Sequence, residues 1–350
     1  MVAHINIASR LVGPGHPCFV IAEAGVNHNG SLEVALNLVD VAAGAGADAV
    51  KFQTFKAERL VTPAAPKAEY QLRTTDASES QYEMIRRLEL SPEMHRAVMG
   101  HCRERNILFL SSPFDEESAD LLQQLGVAAF KIPSGEITNL PLLVHVARKG
   151  KPMIVSTGMA DLSEVAAAVR VIEGEGNHDV VLLQCVSNYP ADPADANLRA
   201  MHTMAAAFDL PVGYSDHTTG IEVALAAVAL GACVIEKHFT LDRGLPGPDH
   251  LASLEPQELT ALVRGIRTVA AALGHGRKEP AASEANTADV ARKSLVAARD
   301  IPAGAVLTEE LIAIKRPGTG LPPAMRPYLA GRTARLPIPE GTVLTLEMLA

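Results

Sequence analysis

Eight short apolar runs recur along the first three-quarters of the chain: Cys18–Ala24, Ala49–Thr54, Ile107–Ser112, Ala128–Pro133, Met153–Thr157, Val180–Cys185, Val212–Ser215 and Val234–His238. Near-continuous apolarity over this length marks strands buried on both faces. Between and after them the apolar positions repeat every three or four residues, which predicts helices over Leu32–Ala45, Pro92–Arg105, Glu116–Leu125, Leu140–Arg148, Leu162–Glu173, Asp195–Ala207, Gly220–Leu230 and Pro256–Leu273. Gly46, Gly126, Gly150 and Gly231 end four of these as left-handed caps, and Ser91 with Pro92 starts another. Eight strands alternating with eight helices predict a parallel (β/α)8 TIM barrel, with an open doubly wound sheet as the structural alternative. Met1–Pro17 reads as a preamble rich in turn residues. Lys56–Glu89 is too long and polar for a simple connection and is expected to fold over the barrel mouth.

Beyond the barrel the pattern changes. Residues 275–292 carry few large apolar side chains and read as a linker between a barrel domain, 1–274, and a small domain, 293–350. Ile301-Pro-Ala-Gly-Ala-Val-Leu-Thr-Glu-Glu-Leu311 is echoed by Ile338-Pro-Glu-Gly-Thr-Val-Leu-Thr-Leu-Glu-Met348, with seven of eleven positions identical. So short a repeat predicts a pseudo-symmetric domain of short strands and single helical turns rather than a solenoid.

Composition narrows the class of function. The chain has 350 residues, 48% hydrophobic and 20% charged, with a net charge of −9 and no long basic run. That balance argues against nucleic acid or an anionic membrane as partner. No apolar run reaches membrane-spanning length, there is no signal-peptide pattern, and the four cysteines lack C-x-x-C spacing. The expectation is a cytoplasmic protein with reduced thiols.

In such a barrel the chemistry sits at the carboxyl ends of the strands. Those positions hold Glu23, Lys51 with Gln53, Lys131 with Ser134 and Glu136, Ser156, Ser187 and Tyr189, Ser215 with His217, and His238. Lys51, Lys131, Ser134, Ser156 and Ser215 make a cationic, hydroxyl-rich surface suited to a phosphate and a carboxylate. Neither a phosphate-binding P-loop nor a dinucleotide fingerprint is present. His217 and His238 end neighbouring strands, about 4.8 Å apart in a parallel sheet, and could share one divalent metal that polarises a carbonyl. Glu23 could handle a proton or a water. Strand alternation turns Lys237 away from His238, and Glu236 is read with it as an outer residue or one that supports the site from behind. A Schiff-base lysine, Lys51 or Lys131, would make the protein an aldolase-type lyase instead. A barrel without activity that only binds carbohydrate is a third reading, disfavoured by the intact set of polar strand ends.

Seven segments then carry a resemblance: Ile21-Ala-Glu-Ala-Gly-Val-Asn-His-Asn-Gly30, Asp48-Ala-Val-Lys-Phe-Gln53, Lys131-Ile-Pro-Ser-Gly-Glu136, Ser156-Thr-Gly-Met159, Gly213-Tyr-Ser-Asp-His217, Glu236-Lys-His-Phe-Thr240 and Gly247-Pro-Asp249. In order and spacing they resemble the sialic acid synthases, phosphoenolpyruvate-condensing barrels with a C-terminal antifreeze-like (SAF) domain. The SAF resemblance falls on Arg292–Ala350. It implies condensation of phosphoenolpyruvate with N-acetylmannosamine to N-acetylneuraminate and phosphate. His217 and His238 then resemble ligands of Mn²⁺, with Mg²⁺ or Co²⁺ as alternatives, and Glu23 the acid/base. Lys51, Lys131, Ser134, Ser156 and Ser215 resemble the phosphoenolpyruvate cradle, and Gln53, Glu136, Tyr189 and Asp249 the amino-sugar contacts. Arg316 resembles a residue lent by a partner subunit in a domain-swapped homodimer. Two features bear on this pattern. Ser187 stands where the family often has asparagine. The expected lid, Lys67–Glu83, and the segment Arg316-Pro-Gly-Thr-Gly-Leu-Pro resemble the legionaminate branch, whose sugar is 2,4-diacetamido-2,4,6-trideoxymannose, as much as the N-acetylneuraminate branch.

Overall fold

The computed structural model describes residues 4–76 and 78–350. Residues 1–3 of the expected barrel domain and Ala77 of the expected lid lie outside the described residues. Two compact units emerge, Met1–Gly274 and His275–Ala350.

The first unit is the expected parallel barrel. Its strands are β3 (Phe19–Gly25), β4 (Ala49–Thr54), β5 (Leu108–Pro113), β6 (Phe130–Ile132), β7 (Met153–Ser156), β8 (Val180–Cys185), β9 (Val212–Asp216) and β10 (Val234–His238), preceded by a hairpin of β1 (Ile5–Ile7) and β2 (Arg10–Val12). The ladder runs β5-β4-β3-β10-β9-β8-β7-β6. β5 and β6, its two ends, pack side by side and nearly close the circle. The outward face of each strand meets the helices in one large apolar cluster that includes Val20, Val50, Phe52, Val155, Leu182 and Ile235. Burying each such side chain stabilises the fold by about 1.5–3 kcal/mol. Helix starts are set chemically: Ser31, Ser91, Asp115 and Asp161 each accept from a backbone N–H two or three residues on.

Three elements differ from the sequence pattern. The preamble is no loose lead-in: Ile5, Ile7 and Val12 join Phe19, Ile21, Leu110, Ile154 and Val181 in the inner cluster, so the hairpin closes the floor of the barrel. Asp48 anchors that floor, accepting from Val20 N–H at 2.8 Å and pairing with both Arg10 and Arg267. The helix expected from Asp195 starts at Ala200 instead, because Asn197 adopts a left-handed φ of 43° after a 3-10 turn over Pro193–Asp195. The polar stretch 56–89 folds into three short helices, Ala57–Leu60, Glu69–Thr74 and Gln81–Arg86.

The second unit has its own core of Leu295, Ile301, Leu307, Ile312, Ile338, Leu344 and Leu349. It holds an antiparallel pair, β11 (Ser294–Ala297) and β12 (Ile312–Lys315). The internal repeat has a physical counterpart. Ile301 and Ile338, first residues of the two copies, exchange both backbone hydrogen bonds at 2.8 Å, so the copies face each other across a local two-fold. The expected linker is partly ordered in this unit, with a helix over Ala285–Ala291. No helix among the described residues is long and apolar enough to cross a membrane.

Candidate active site

Strand alternation decides what enters the barrel mouth. On β10, Glu236 and His238 share one parity and Lys237 the other. Lys237 points outward to a buried ion pair with Asp216, at 2.7 Å, and donates to the Thr218 carbonyl at 2.6 Å. Glu236 points inward. The sequence reading, which grouped it with Lys237 as outer or supporting, is corrected in its direction: Glu236 accepts from Ser215 Oγ at 2.9 Å and lies 3.1 Å from Lys131 Nζ and 3.7 Å from Lys51 Nζ. The signal was its two-residue spacing from His238.

Around Glu236 a buried four-charge cluster forms. Lys51 pairs with Glu23 at 2.8 Å and donates to Ser112 Oγ at 3.1 Å. Burial would pull the Lys51 ammonium down, but Glu23 and Glu236 outweigh it and raise its pKa. Lys131 is lowered, burial being stronger than its carboxylate neighbours. Burial would raise Glu236, yet Lys131 and Lys51 hold it well below the carboxylate range. Glu23 goes the other way: burial lifts it despite Lys51, making it the carboxyl of the pair that holds a proton more readily. Lys51 and Lys131 thus bring two ammonium groups into the barrel mouth. At the end of β3 the pairing slips between Glu23 and Gly25, a bulge of the kind that re-aims side chains beside active sites. Gly25 sits at a φ of 53° with Glu23 Oε1, Gln53 Nε2 and the His238 ring each 3.2–3.5 Å from where a Cβ would stand.

The hydroxyls converge from the neighbouring strands. Ser134 Oγ accepts from Gly158 N–H at 3.0 Å and lies 3.0 Å from Cys185 Sγ. Ser156 Oγ is buried with no hydrogen-bond partner among the described residues. A Cβ on Gly158 would come within 2.4 Å of Ser187 Oγ and 2.9 Å of Ser134 Oγ, so only glycine lets these serines meet.

His217 and His238 face each other with ring centroids 5.4 Å apart. His217 Nδ1 lies 2.6 Å from the Val186 carbonyl, which assigns its proton there and leaves Nε2 as a lone pair. His238 Nδ1 is buried without a hydrogen-bond partner, 3.9 Å from Asp249 Oδ2. Burial pushes His217 down to about 4 and His238 well below its usual range, so both present neutral imidazole. An orphaned ring nitrogen on His238 near a His217 Nε2 whose one neighbour is Ser215 Oγ at 3.5 Å fits a divalent cation. No third His, Cys, Asp or Glu completes a ligand cluster among the described residues, so the donor set is an open pair. Tyr189 covers it, its ring 4.2 Å from His217 and 5.5 Å from His238. Burial lifts Asp249 to about 6.

Glu136, on the 3-10 turn after β6, accepts from Asn139 at 2.7 Å and is raised by burial, then by Asp115. Arg316 is exposed and belongs to the second unit. Tyr70, which the sequence reading did not single out, packs its ring 5.2 Å from that of Tyr189.

Fold and site together define a barrel of the enzyme type whose mouth gathers two buried lysines, several serine hydroxyls and two neutral histidines. Comparison with known proteins makes this specific. Residues 38–278 match the NeuB family model and residues 292–350 the SAF domain model. The chain is 50% identical over 339 residues to the N,N'-diacetyllegionaminic acid synthase of Legionella pneumophila, covering 96% of this chain and 95% of that protein. It is 52% identical to the enzyme of the same name from Campylobacter jejuni, covering 86% of this chain and 91% of that one. A crystal structure of N-acetylneuraminic acid synthetase from Leptospira borgpetersenii superposes with a TM-score of 0.73 at 38% identity, over 82% of this chain and 95% of that one. The chain belongs to the NeuB family of sialic-acid-type synthases, and it is a phosphoenolpyruvate-condensing transferase of that family.

Proposed function

We propose that this enzyme condenses phosphoenolpyruvate with 2,4-diacetamido-2,4,6-trideoxymannose, releasing phosphate and N,N'-diacetyllegionaminate. One observation carries the choice of sugar: identity reaches 50% and 52% with the two N,N'-diacetyllegionaminic acid synthases, against 38% with the N-acetylneuraminic acid synthetase. N-acetylmannosamine, the sugar first expected from the sequence, becomes the second candidate.

In this reading Lys51, Lys131, Ser134, Ser156, Ser187 and Ser215 hold the phosphate and carboxylate of phosphoenolpyruvate, with Glu236 fixing the two ammonium groups. Gln53, Glu136, Tyr189 and Asp249 bind the amino sugar. C3 of phosphoenolpyruvate attacks the sugar aldehyde, water adds at C2, and phosphate leaves by C–O cleavage. Glu23, lifted by burial beside Lys51, is placed to take the proton of that water. The lysines stabilise the charge of the departing phosphate; loss of one such contact in a dry site costs about 3 kcal/mol of barrier. His217 and His238 would hold a divalent cation, Mn²⁺ by family resemblance, which when bound supplies Lewis-acid polarisation of a carbonyl oxygen. Arg316 would act on a partner subunit's site in a domain-swapped dimer.

The test is phosphate release from phosphoenolpyruvate with each sugar, with and without EDTA. The diacetamido sugar should be the better substrate, and EDTA should abolish turnover until Mn²⁺ is restored. His217→Ala and His238→Ala should each lose bound Mn²⁺, measured directly in the purified protein, along with activity. Preference for N-acetylmannosamine would reject the sugar; full activity in EDTA would reject the metal.

A further inference from the structure

The lid carries one aromatic side chain to the site, and its surroundings are more constrained than a surface loop requires. Tyr70 lies on Glu69–Thr74, in a stretch of otherwise mostly polar residues. Both ends of that helix are fastened. Gln71 Oε1 accepts from Ala68 N–H at 3.0 Å. The Lys67 ammonium, its side chain only 2% exposed, reaches Thr75 Oγ1 at 3.0 Å, the Asp76 carbonyl at 2.7 Å and Glu79 at 3.1 Å. Thr74 Oγ1 approaches the Pro248 carbonyl at 3.5 Å, one residue before Asp249.

So fastened, Tyr70 extends the aromatic wall of the site. Its ring stands 5.2 Å from Tyr189, tilted by 38°, and Tyr189 in turn lies 4.2 Å from His217. The row runs from the imidazole pair outward to the lid. Its contact with Tyr189 and that of Thr74 with Pro248 set Tyr70 in the sugar half of the mouth, where burial, then the Asp249 carboxylate, holds its phenol well above the usual range. The proposed lysine and serine cradle lies on or just past β4, β6, β7, β8 and β9, and among the described residues the side-chain hydrogen bonds at Tyr70 are with Gln71 and Thr74.

We propose that Tyr70 is a specificity-determining residue, forming the lid-borne wall against which an acetamido methyl or a terminal methyl of the sugar packs. The inference rests on the diacetamido-sugar reading and deepens it. The two candidate sugars differ by an acetamido group against a hydroxyl at one carbon and a methyl against a hydroxymethyl at another. An aromatic face gains from the apolar groups and gives a hydroxyl no partner. One apolar group in a fitted pocket is worth about 10–200-fold in kcat/KM.

The test uses the full-length enzyme loaded with Mn²⁺, its Tyr70→Ala variant and its Tyr70→Phe variant, with kcat/KM measured for both sugars and KM for phosphoenolpyruvate. Tyr70→Ala should lower kcat/KM for the diacetamido sugar by at least about tenfold and that for N-acetylmannosamine by less than about threefold. The KM for phosphoenolpyruvate should stay within about twofold, and Tyr70→Phe, which keeps the ring, should retain the unmutated preference. Equal losses on both sugars, a matching rise in the phosphoenolpyruvate KM, or no loss at all would each overturn the inference. Failure of the underlying reading shows separately, as an unmutated enzyme that does not turn over the diacetamido sugar; the inference then falls with it.

Discussion

At the residue scale the decisive side chain is Glu236, set among Lys131, Lys51 and Ser215 at 3.1, 3.7 and 2.9 Å. Among the described residues its polar partners all lie in the barrel mouth, and a buried charge persists only when paired. Replacing it by glutamine keeps the shape and removes the charge that offsets two ammonium groups. Glu236→Gln should therefore lower kcat/KM by on the order of a hundredfold, with the KM for phosphoenolpyruvate rising and the melting temperature falling, because two buried ammonium groups lose a counter-charge. Steady-state kinetics beside a thermal melt would check it; unaltered kinetics would remove Glu236 from the site. The sequence offered the clue, since period-two alternation puts residues 236 and 238 on one face, but Lys237 between them drew the reading the wrong way.

At the element scale the barrel mouth rests on buried neutral histidines outside the reacting centre. His28, in the turn after β3, accepts from Gly30 N–H at 3.0 Å. His250 sits 2.7 Å from Thr240 Oγ1 and braces the loop that presents Asp249. His95 bridges Thr54 Oγ1, at 2.8 Å, and the Ser91 carbonyl. Burial lowers all three, His28 and His250 to about 4. An unfolded histidine titrates near about 6.5, so the stability these rings contribute is full above that value and is lost as pH falls towards 4. For His28 alone the loss is on the order of 3 kcal/mol. Thermal melts from pH 7 to 4 should show the barrel weakening through this window, and His28→Gln should flatten the fall. A melting temperature independent of pH across the window would contradict the assignment.

At the scale of the whole molecule, two units carry separate cores. Between them Gly274–Glu284 is exposed throughout and includes Arg277 and Lys278. Brief trypsin treatment of the native protein should cut there first, leaving a barrel fragment that retains its helical circular dichroism. Initial cleavage within β3–β10 would argue against an independently stable barrel.

The order and type of nearly every barrel element were legible in the chain, because strands buried on two faces and helices buried on one leave different hydrophobic periods. The polar strand ends were legible for the same reason, as Lys51, Lys131 and His238 interrupt runs that packing alone would keep apolar. What one-dimensional pattern could not express was contact between distant segments. The three-residue strand Ile5–Ile7 reveals itself as a barrel floor only against Phe19 and Leu110, and Tyr70 gains meaning only against Tyr189. The charge state of Glu23 against Glu236 likewise depends on which carboxylate lies between two lysines. Local sequence determines which faces are buried; only the closed barrel decides which buried groups meet, because that depends on distances the chain creates by folding.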